Sequence, residues 1–356
     1  MKQVSIHDLV PGMVIAEDVI DYNKNCIVPA GVVLTAPIIS RLSSYAVYSV
    51  AVAEDTMPEL FQTDITQSLK EEQSGLVSQF QQDREKLVYH LRKSILQAIN
   101  KQITPRVDEL IAEAMQLIHH QDYAKLNIFE LLLYTQWHED SVFSHSVNVA
   151  LIAYTLAGWL NYSEDDQKLT IACGLFHDIG KLMVPAGILQ KPERLNPVEF
   201  EIIKTHTTEG YHILNHMTIN PHIKAAALMH HEKCDGTGYP YGLKEDAIDP
   251  FAKLITIADI YEAMTSARVY RDPICPFQVI NHFEQEGLDK YDSNYIMTFL
   301  QNTANSYTNH KVSLSNGLEG TVVFVNTEHA SQPTIHAEDE FWDLSKNLNI
   351  FIETVL

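Results

Sequence analysis

The stretch Leu228-Met-His-His-Glu-Lys-Cys-Asp-Gly-Thr-Gly-Tyr-Pro240 decides how the rest of this chain is interpreted. Two adjacent imidazoles and a carboxylate end an apolar run, and a turn with two glycines and a proline follows at once. Imidazole rings are costly to bury unless their nitrogens have partners that replace water. The pair His230-His231 therefore predicts such a partner at the end of a buried helix, and a metal ion would serve.

A second cluster lies upstream in Gly174-Leu-Phe-His-Asp-Ile-Gly-Lys-Leu182, where His177 and Asp178 are adjacent. Two consecutive residues of a helix point about 100° apart, so this pair can bracket two metal ions with the carboxylate bridging them. Asp259 lies inside the apolar run Leu254-Ile-Thr-Ile-Ala-Asp-Ile260, where a carboxylate needs a polar partner or a cation. We interpret both clusters and Asp259 as parts of one metal site.

Two more histidines, His145 and His206, lie within helical patterns, and each alone is more typical of a satisfied core histidine than of a ligand. Together the candidates are five imidazoles and two carboxylates on successive predicted helices: His145, His177, Asp178, His206, His230, His231 and Asp259. This set is sufficient for two metal ions that share Asp178, with positions left for water. His212 and His216 are also spaced for zinc, but a solvated helix face is the better interpretation of that pair.

The composition limits the partners that the chain can bind. The formal net charge is −21, which argues against general binding to a DNA or RNA polymer or to an anionic membrane surface. An anionic small molecule is compatible with that charge if metal ions and a few basic residues make its site locally positive. The first residues form no secretory signal and the four cysteines are scattered, so we expect a cytoplasmic protein with reduced thiols.

The apolar patterning divides the chain into four predicted regions: residues 1–56, 57–125, 126–308 and 309–356. The first alternates short β-type runs with turn residues and contains a predicted helix at 38–45, which favours a small α+β domain. The second contains two amphipathic helices divided by Pro105, a helical connector that either pairs with a second subunit in a homodimer or covers the main core.

The third region carries the candidate ligands and consists of predicted helices at 129–134, 142–160, 164–179, 197–216, 221–231, 251–267 and 276–286. The fourth returns to β-type patterning, with strands predicted at 312–314, 320–326 and 349–356. The fold class predicted for the whole chain is therefore mainly α, with a small N-terminal α+β domain and a small C-terminal β appendage.

The motifs of the third region resemble those of a known family. His177-Asp178, the spaced histidines and Asp259 are similar to the HD phosphohydrolase superfamily. The HDIGK segment, with His230-His-Glu232 and Asp235-Gly-Thr-Gly-Tyr-Pro240, resembles the HD-GYP subgroup, the bacterial cyclic di-GMP phosphodiesterases. The compound motif HDIGK…HHExxDGxGYP is highly specific, and the resemblance implies an HD-type helical bundle for residues 126–308.

The resemblance also implies roles for single residues. It makes the seven candidates metal ligands, gives Asp178 a catalytic role and matches Lys181 to the family lysine near the scissile phosphate. Arg268 and Arg271 match a basic pair that holds substrate phosphate, and two cations three residues apart on one helix face suit a phosphodiester. Tyr239 and the glycines beside it would shape the substrate wall and dock a partner protein.

Two positions depart from the family pattern. Some members have a Glu four residues before the first ligand histidine and hold a third metal, whereas this chain has Ser141, so we expect two metals. The family segment Asp-x-Tyr-Asp-Ala reads Asp259-Ile-Tyr-Glu262-Ala here, which we interpret as a change behind the ligands.

The expected function is hydrolysis of cyclic di-GMP to linear pGpG, with further cleavage to GMP left open. A hydroxide that bridges two divalent transition-metal ions would attack phosphorus in line with the departing 3′ oxygen. The ligand types suit iron, manganese, nickel or zinc better than magnesium, and the resemblance favours iron or manganese. Two alternatives are hydrolysis of another cyclic dinucleotide, such as a mixed GMP–AMP ring, and a signalling adaptor that binds nucleotide or partner proteins without turnover.

Overall fold

The computed structural model describes residues 2–5, 13–17, 19–20, 26–32, 34, 38, 42, 49–52, 66–101, 103–120, 123, 127–135, 142–191, 193–267, 272–338, 340–347 and 349–356, some of them, including 66–74, by their backbone alone. The chain divides into two compact units, Met1–Ser74 and Gly75–Leu356. The finer division into four regions stays a prediction.

The first unit contains two antiparallel pairs of short strands. Strand β1 (Lys2–Ser5) pairs with β4 (Ser49–Val52), and β2 (Val19–Ile20) pairs with β3 (Cys26–Val28). A small apolar core of its own holds this unit together: Val4, Ile15, Val19, Val28, Leu34, Leu42, Val50 and Val52. The helix predicted at 38–45 lies outside the described residues except for positions 38 and 42.

Helices dominate the rest of the chain. They are α1 (Thr66–Lys101), α2 (Val107–Ile118), α3 (Ile128–Thr135), α4 (Val142–Trp159), α5 (Glu164–Phe176), α6 (Ala186–Leu189), α7 (Pro197–Lys204), α8 (His206–Asn215), α9 (Pro221–Met229), α10 (Pro250–Thr265), α11 (Pro276–Glu286) and α12 (Ser293–Ser306). Short 3₁₀ turns cover Ile179–Met183 and Glu245–Ala247. The predicted mainly α fold is confirmed, and none of the described helices is long and apolar enough to cross a membrane.

Local signals explain where the helices around the candidate ligands begin. The side chain of Ser163 accepts a hydrogen bond from the backbone of Asp166 and caps α5, and Asn196 forms a capping box with Glu199 at the start of α7. Asp249 caps α10 through the backbone N–H of Phe251. These caps satisfy backbone donors that the first turn of a helix leaves without intrahelical partners.

Several predicted helices end earlier than the periodicity indicated, two of them by the largest margins. The helix predicted at 164–179 ends at Phe176, so His177 and Asp178 lie in the turn that precedes the first 3₁₀ segment. The helix predicted at 197–216 is two helices, α7 and α8, that meet at Thr205. Both breaks place a candidate ligand at a helix end.

Five antiparallel strands form the C-terminal sheet: β5 (Lys311–Leu314), β6 (Glu319–Phe324), β7 (Thr334–Ala337), β8 (Glu340–Asp343) and β9 (Ile352–Val355), in the order β8-β7-β6-β5-β9. The predicted small β appendage is therefore present, although β7 and β8 were not predicted. Its buried side chains Val312, Val322 and Ile335 belong to the same apolar core as the helices.

Candidate metal centre

The structure brings all seven predicted ligands to one place in the second unit. Helix α4 carries His145, the turn after α5 carries His177 and Asp178, α8 begins with His206, and α10 carries Asp259. The last two ligands, His230 and His231, follow the end of α9. All of these side chains are buried except that of His231, which is partly exposed.

The carboxylate of Asp178 lies between two groups of histidines. Its Oδ2 atom is 3.4 Å from Nε2 of His145 and 3.4 Å from Nε2 of His177. Its Oδ1 atom is 3.4 Å from Nε2 of His206 and 3.6 Å from Nε2 of His230. Neighbouring ligand atoms bound to one metal at about 2.1 Å lie roughly 3.0–3.4 Å apart. The spacing therefore suits two ligand groups that share one carboxylate.

Asp259 and His231 extend the two groups. Oδ1 of Asp259 lies 2.9 Å from Nε2 of His145, and its Oδ2 atom lies 3.9 Å from Nδ1 of His231. The Nε2 atoms of His206 and His230 are 3.2 Å apart. In the triad His145–His177–Asp259, and again in His206–His230–His231, the potential ligand atoms lie within 4.8 Å of one another.

Hydrogen bonds to the backbone orient three of the rings. The Nδ1 atoms of His177, His206 and His230 donate to carbonyl oxygens at 2.7, 2.6 and 2.9 Å, respectively. Because a carbonyl oxygen can only accept, the proton is on Nδ1 and the lone pair of Nε2 points towards Asp178. This is the tautomer that a metal ligand needs.

Three buried atoms at the centre make no hydrogen bond with the described residues: Nε2 of His145, Nε2 of His177 and Oδ1 of Asp178. Buried polar atoms normally have a partner, so each such case calls for an explanation. All three atoms can donate a lone pair: the two nitrogens lie near Oδ2 of Asp178, and its Oδ1 atom lies near His206 and His230. The donor set therefore fits bound metal.

The charge states also suit metal ligation. Burial lowers the pKa of His206 to about 3 and lowers the pKa of His230 and His231 as well, so these rings are neutral at pH 7. Burial acts to raise the pKa of Asp178, but the positive charge of Lys181 and the adjacent His177 ring outweigh it and hold that pKa well below its ordinary value. Neutral imidazoles and ionised carboxylates are the forms that bind metal.

His145 is in a different electrostatic environment. Burial would lower its pKa, but the adjacent carboxylates of Glu262 and Asp259 outweigh burial and raise the pKa to about 9. Negative charge that favours a proton on this ring also favours a metal cation at Nε2.

Glu262 holds His145 from behind. Its Oε2 atom accepts from Nδ1 of His145 at 2.5 Å, and its Oε1 atom accepts from Nδ2 of Asn148 at 2.8 Å and from Oγ of Ser266 at 2.7 Å. The sequence showed Glu262 only as a change from the family pattern. Its position one helical turn after Asp259, on the buried face of α10, is the signal that would have placed it here.

Gly180 permits a close approach that the site requires. A Cβ atom at this position would lie 1.9 Å from the carbonyl oxygen of His206, so the 3₁₀ turn after Asp178 and the start of α8 are in direct backbone contact. Any larger residue would separate Asp178 from His206.

Glu232 fixes the Gly-Tyr-Pro loop beside the centre. Its buried carboxylate accepts from the backbone N–H groups of Tyr241 at 2.7 Å and Leu243 at 2.9 Å. The ring of Tyr239 stacks on His231, with centroids 4.6 Å apart and planes inclined by 25°. Tyr239 therefore lies against a candidate ligand, where it forms one wall of the site.

The other predicted substrate-binding residues differ in placement. Nζ of Lys181 donates to Oδ2 of Asp178 at 2.5 Å, at the edge of the centre. Arg268, Arg271 and Ser141 lie outside the described residues. His212 and His216 are exposed and belong to none of the potential metal groups in the described part of the chain.

Residues 135–295 match the family model described as "HD domain". This segment is similar to the HD domain. A relative in Vibrio cholerae serotype O1, 3'3'-cGAMP-specific phosphodiesterase 1, is 37% identical over 166 residues, which are 46% of this chain and 38% of the relative. The cyclic di-GMP phosphodiesterase of Thermotoga maritima is 31% identical over 219 residues, 60% of this chain and 58% of that protein. The matches thus span less than two thirds of either relative.

A solved structure shows the same fold. An HDG"Y"P protein from Bdellovibrio bacteriovorus has a TM-score of 0.50, covering 84% of this chain and 97% of that chain at 16% sequence identity. The predicted HD-type bundle and the predicted resemblance to the HD-GYP group are confirmed.

Proposed function

We propose that this protein is a metal-dependent phosphodiesterase that hydrolyses cyclic di-GMP to linear pGpG in bacterial second-messenger signalling. The observation that carries the proposal is the position of Asp178, whose two oxygens lie 3.4–3.6 Å from two different pairs of histidines. The name of the Thermotoga relative supports the substrate, and the HD domain supports the reaction class.

Two divalent ions are proposed for the centre, one with His145, His177 and Asp259 and the other with His206, His230 and His231, with Asp178 shared. A donor set of imidazoles and carboxylates suits iron or manganese better than magnesium, which prefers oxygen ligands. When bound, such ions would supply Lewis acidity and an activated water nucleophile.

The protein side chains have separate tasks in this proposal. Lys181, at the edge of the centre, donates to a phosphoryl oxygen and offsets the charge that develops there. Tyr239 and the adjacent His231 ring provide a flat wall against which the substrate is positioned. Arg268 and Arg271 bind the substrate phosphates. Further cleavage of pGpG to GMP would use the same groups on a linear phosphodiester.

The test is an assay of anaerobically purified protein after addition of Fe²⁺ or Mn²⁺, with cyclic di-GMP as substrate and chromatography of the products. We expect pGpG to accumulate before any GMP, and Asp178→Ala to abolish hydrolysis. Absence of hydrolysis by protein whose metal content has been verified would contradict the proposal.

A second candidate substrate is 3′3′-cGAMP. The observation that favours it is the 37% identity to the Vibrio relative that is named for that ring. Turnover of the two rings under matched conditions distinguishes the candidates, since the preferred ring has the higher kcat/KM. A non-catalytic adaptor, in contrast, would bind one of the rings and release it unchanged.

Two interactions with other protein chains are also proposed. A partner protein would dock at the Gly-Tyr-Pro loop, where the side chain of Tyr241 is 64% exposed next to the centre. A homodimer would use the exposed faces of α1 and α2. Pull-down with Tyr241→Ala and sedimentation of the whole chain test these two interactions separately.

A further inference from the structure

Arg84 is a buried cation far from the ligands in sequence. It lies on α1, outside residues 135–295 that match the HD domain, and only 5% of its surface is exposed. It follows Phe80 by four residues and precedes Leu87 by three, so it shares the helix face that packs into the main core. Arginine is rarely buried in this way unless its donors have partners.

The guanidinium of Arg84 contacts α4 next to the first candidate ligand. Its Nε atom donates to Oδ1 of Asn148 at 2.7 Å, and its Nη2 atom donates to Oγ of Ser144. The amide of Asn148 donates to Glu262, which in turn accepts from Nδ1 of His145 at 2.5 Å. A continuous chain of hydrogen bonds thus runs from α1 to His145.

The chemistry of the groups gives this chain one direction. A guanidinium has only donors, so Asn148 must present its oxygen to Arg84 and its NH₂ group to Glu262. Glu262 as a carboxylate has only acceptors, so Nδ1 of His145 must carry the proton. The other nitrogen, Nε2, lies on the side of Asp178 and Asp259, where a metal ion would displace its proton.

We propose that Arg84 is a positioning residue for the metal centre, because it fixes Asn148, which holds Glu262, and thereby the ring position of His145. The inference rests on the proposed metal centre and does not depend on the substrate. Without Arg84, the amide oxygen of Asn148 loses its charged donor, so the amide is held less rigidly against Glu262. Helix α1, outside the HD domain, is then part of the site.

The role predicts a selective effect on metal binding. The chain of hydrogen bonds ends at His145, whereas His206 and His230 are oriented by backbone carbonyl groups. Loss of Arg84 should therefore lower the affinity for the ion held by His145, His177 and Asp259 by about 10–100-fold. This is the usual effect of changing a group that orients a metal ligand. The affinity of the other ion should change little.

The experiment is anaerobic equilibrium dialysis of the whole protein with Mn²⁺, which yields two stepwise dissociation constants. Arg84→Met is compared with Arg92→Met, which makes the same change at an exposed position of the same helix. We expect one constant to rise by about 10–100-fold in Arg84→Met alone. If folded Arg84→Met binds both ions as tightly as the wild type, the inference is wrong.

Arg84→Lys covers the case in which Arg84→Met fails to fold, because lysine retains the charge but offers no rigid fork. Arg84→Lys and Glu262→Gln should each raise the dissociation constant of the same ion. The double variant should raise it by less than the product of the two separate factors, because both residues act through one chain of hydrogen bonds. Strictly multiplicative effects would overturn the inference. If the wild-type protein binds two ions but hydrolyses no cyclic di-GMP, the proposed function is refuted. The metal-binding comparison of the variants then still tests the role of Arg84.

Discussion

Asp178 separates the two groups of ligands because α5 ends two residues before it. In a continued helix its carboxylate would follow the helix surface, whereas in the turn each oxygen faces a different pair of histidines. The charge of Lys181 and the ring of His177 keep this buried carboxylate ionised, as shown by its lowered pKa. In the proposed centre, this one carboxylate is the group that both ions would share.

Asp178→Asn tests this role while keeping the shape of the side chain. We expect metal content to fall from two ions per chain to fewer than one, because the shared negative charge is lost. Activity should fall by more than about a hundredfold, the upper range for changes outside the ligand set. Elemental analysis and a product assay measure both quantities. The exposed Asp165→Asn on α5 is the matched control, and equal metal content in the two variants would contradict the role.

Gly238 has a similar importance for the loop that follows His231. A Cβ atom there would lie 2.4 Å from Cα of Glu232 and 2.4 Å from the backbone nitrogen of Lys233, neither of which can move alone. Gly238→Ala should destabilise the protein by about 1–3 kcal/mol and displace His231 and Tyr239, with loss of activity. Thermal unfolding and the product assay measure the two effects. Gly187→Ala, where a Cβ atom meets nothing within 4 Å, should be neutral, and two variants of equal stability would refute the argument.

The clustering of the seven candidate ligands could be expected from the sequence, because a buried imidazole or carboxylate inside an apolar run needs a partner. Their supporting residues could not be predicted in the same way. Arg84 and Asn148 resemble ordinary polar residues of amphipathic helices, and only the packing of α1 against α4 brings them together. The contact depends on chain positions that are 64 residues apart.

At the scale of elements, periodicity located most helices but not their ends. The break between α7 and α8 was missed because no proline or glycine marks Thr205. The break lies where the start of α8 contacts the 3₁₀ turn at Gly180, a tertiary contact that periodicity does not show. Helix α12 was missed because Ser, Asn and Thr are poor helix formers, yet Asp292 caps it and Ile296, Phe299 and Leu300 are buried. Packing overrides weak propensity in such cases.

An ion pair joins α3 to the residue before β5. Nε2 of His310 contacts Oε1 of Glu130, and both side chains are mostly buried, with 17% and 13% exposed. The hydrogen bond to Glu130 is the main reason that the pKa of His310 lies above its ordinary value of 6.5. The folded state therefore binds the proton more tightly than the unfolded state does.

His310→Gln should consequently destabilise the protein in a pH-dependent way. The stabilisation from the protonated pair is fully present below about pH 6.5 and is lost as the pH rises through the higher pKa of the folded state. We expect a loss of about 1–2 kcal/mol at low pH, and a smaller one at higher pH. Urea unfolding at several pH values measures the difference from the wild type. The exposed His336→Gln is the control, and a difference for His310→Gln that is independent of pH would contradict the assignment.

At the scale of the whole molecule, the second unit has one apolar core to which distant segments contribute. Phe80, Leu87 and Leu91 of α1 belong to it, as do Val312 and Ile335 of the C-terminal sheet. The sequence could separate these segments by composition, but it could not show that they share a core, because amphipathic patterns identify a buried face and not its partner. The first unit has a separate core.

Two truncated chains test this organisation. Residues 75–356 should unfold cooperatively and bind metal as the whole chain does, because they retain the entire second core. Residues 126–356 lack the buried side chains of α1 and α2, each of which contributes about 1.5–3 kcal/mol to stability when it is buried. Because the free energy of unfolding of a typical domain is only about 5–15 kcal/mol, the loss of several such side chains should leave this shorter chain unstable. Urea unfolding compares them. A 126–356 chain that is as stable as 75–356 would show that α1 and α2 are dispensable.

The most direct test of the central claim is the rate of cyclic di-GMP hydrolysis as Mn²⁺ is added stepwise to metal-free protein without oxygen. If Asp178 joins two ion sites into one catalytic centre, the rate should be negligible without metal, rise with each addition and level off at two equivalents per chain. Hydrolysis that is complete without metal, or that is absent at two bound equivalents, would contradict the account.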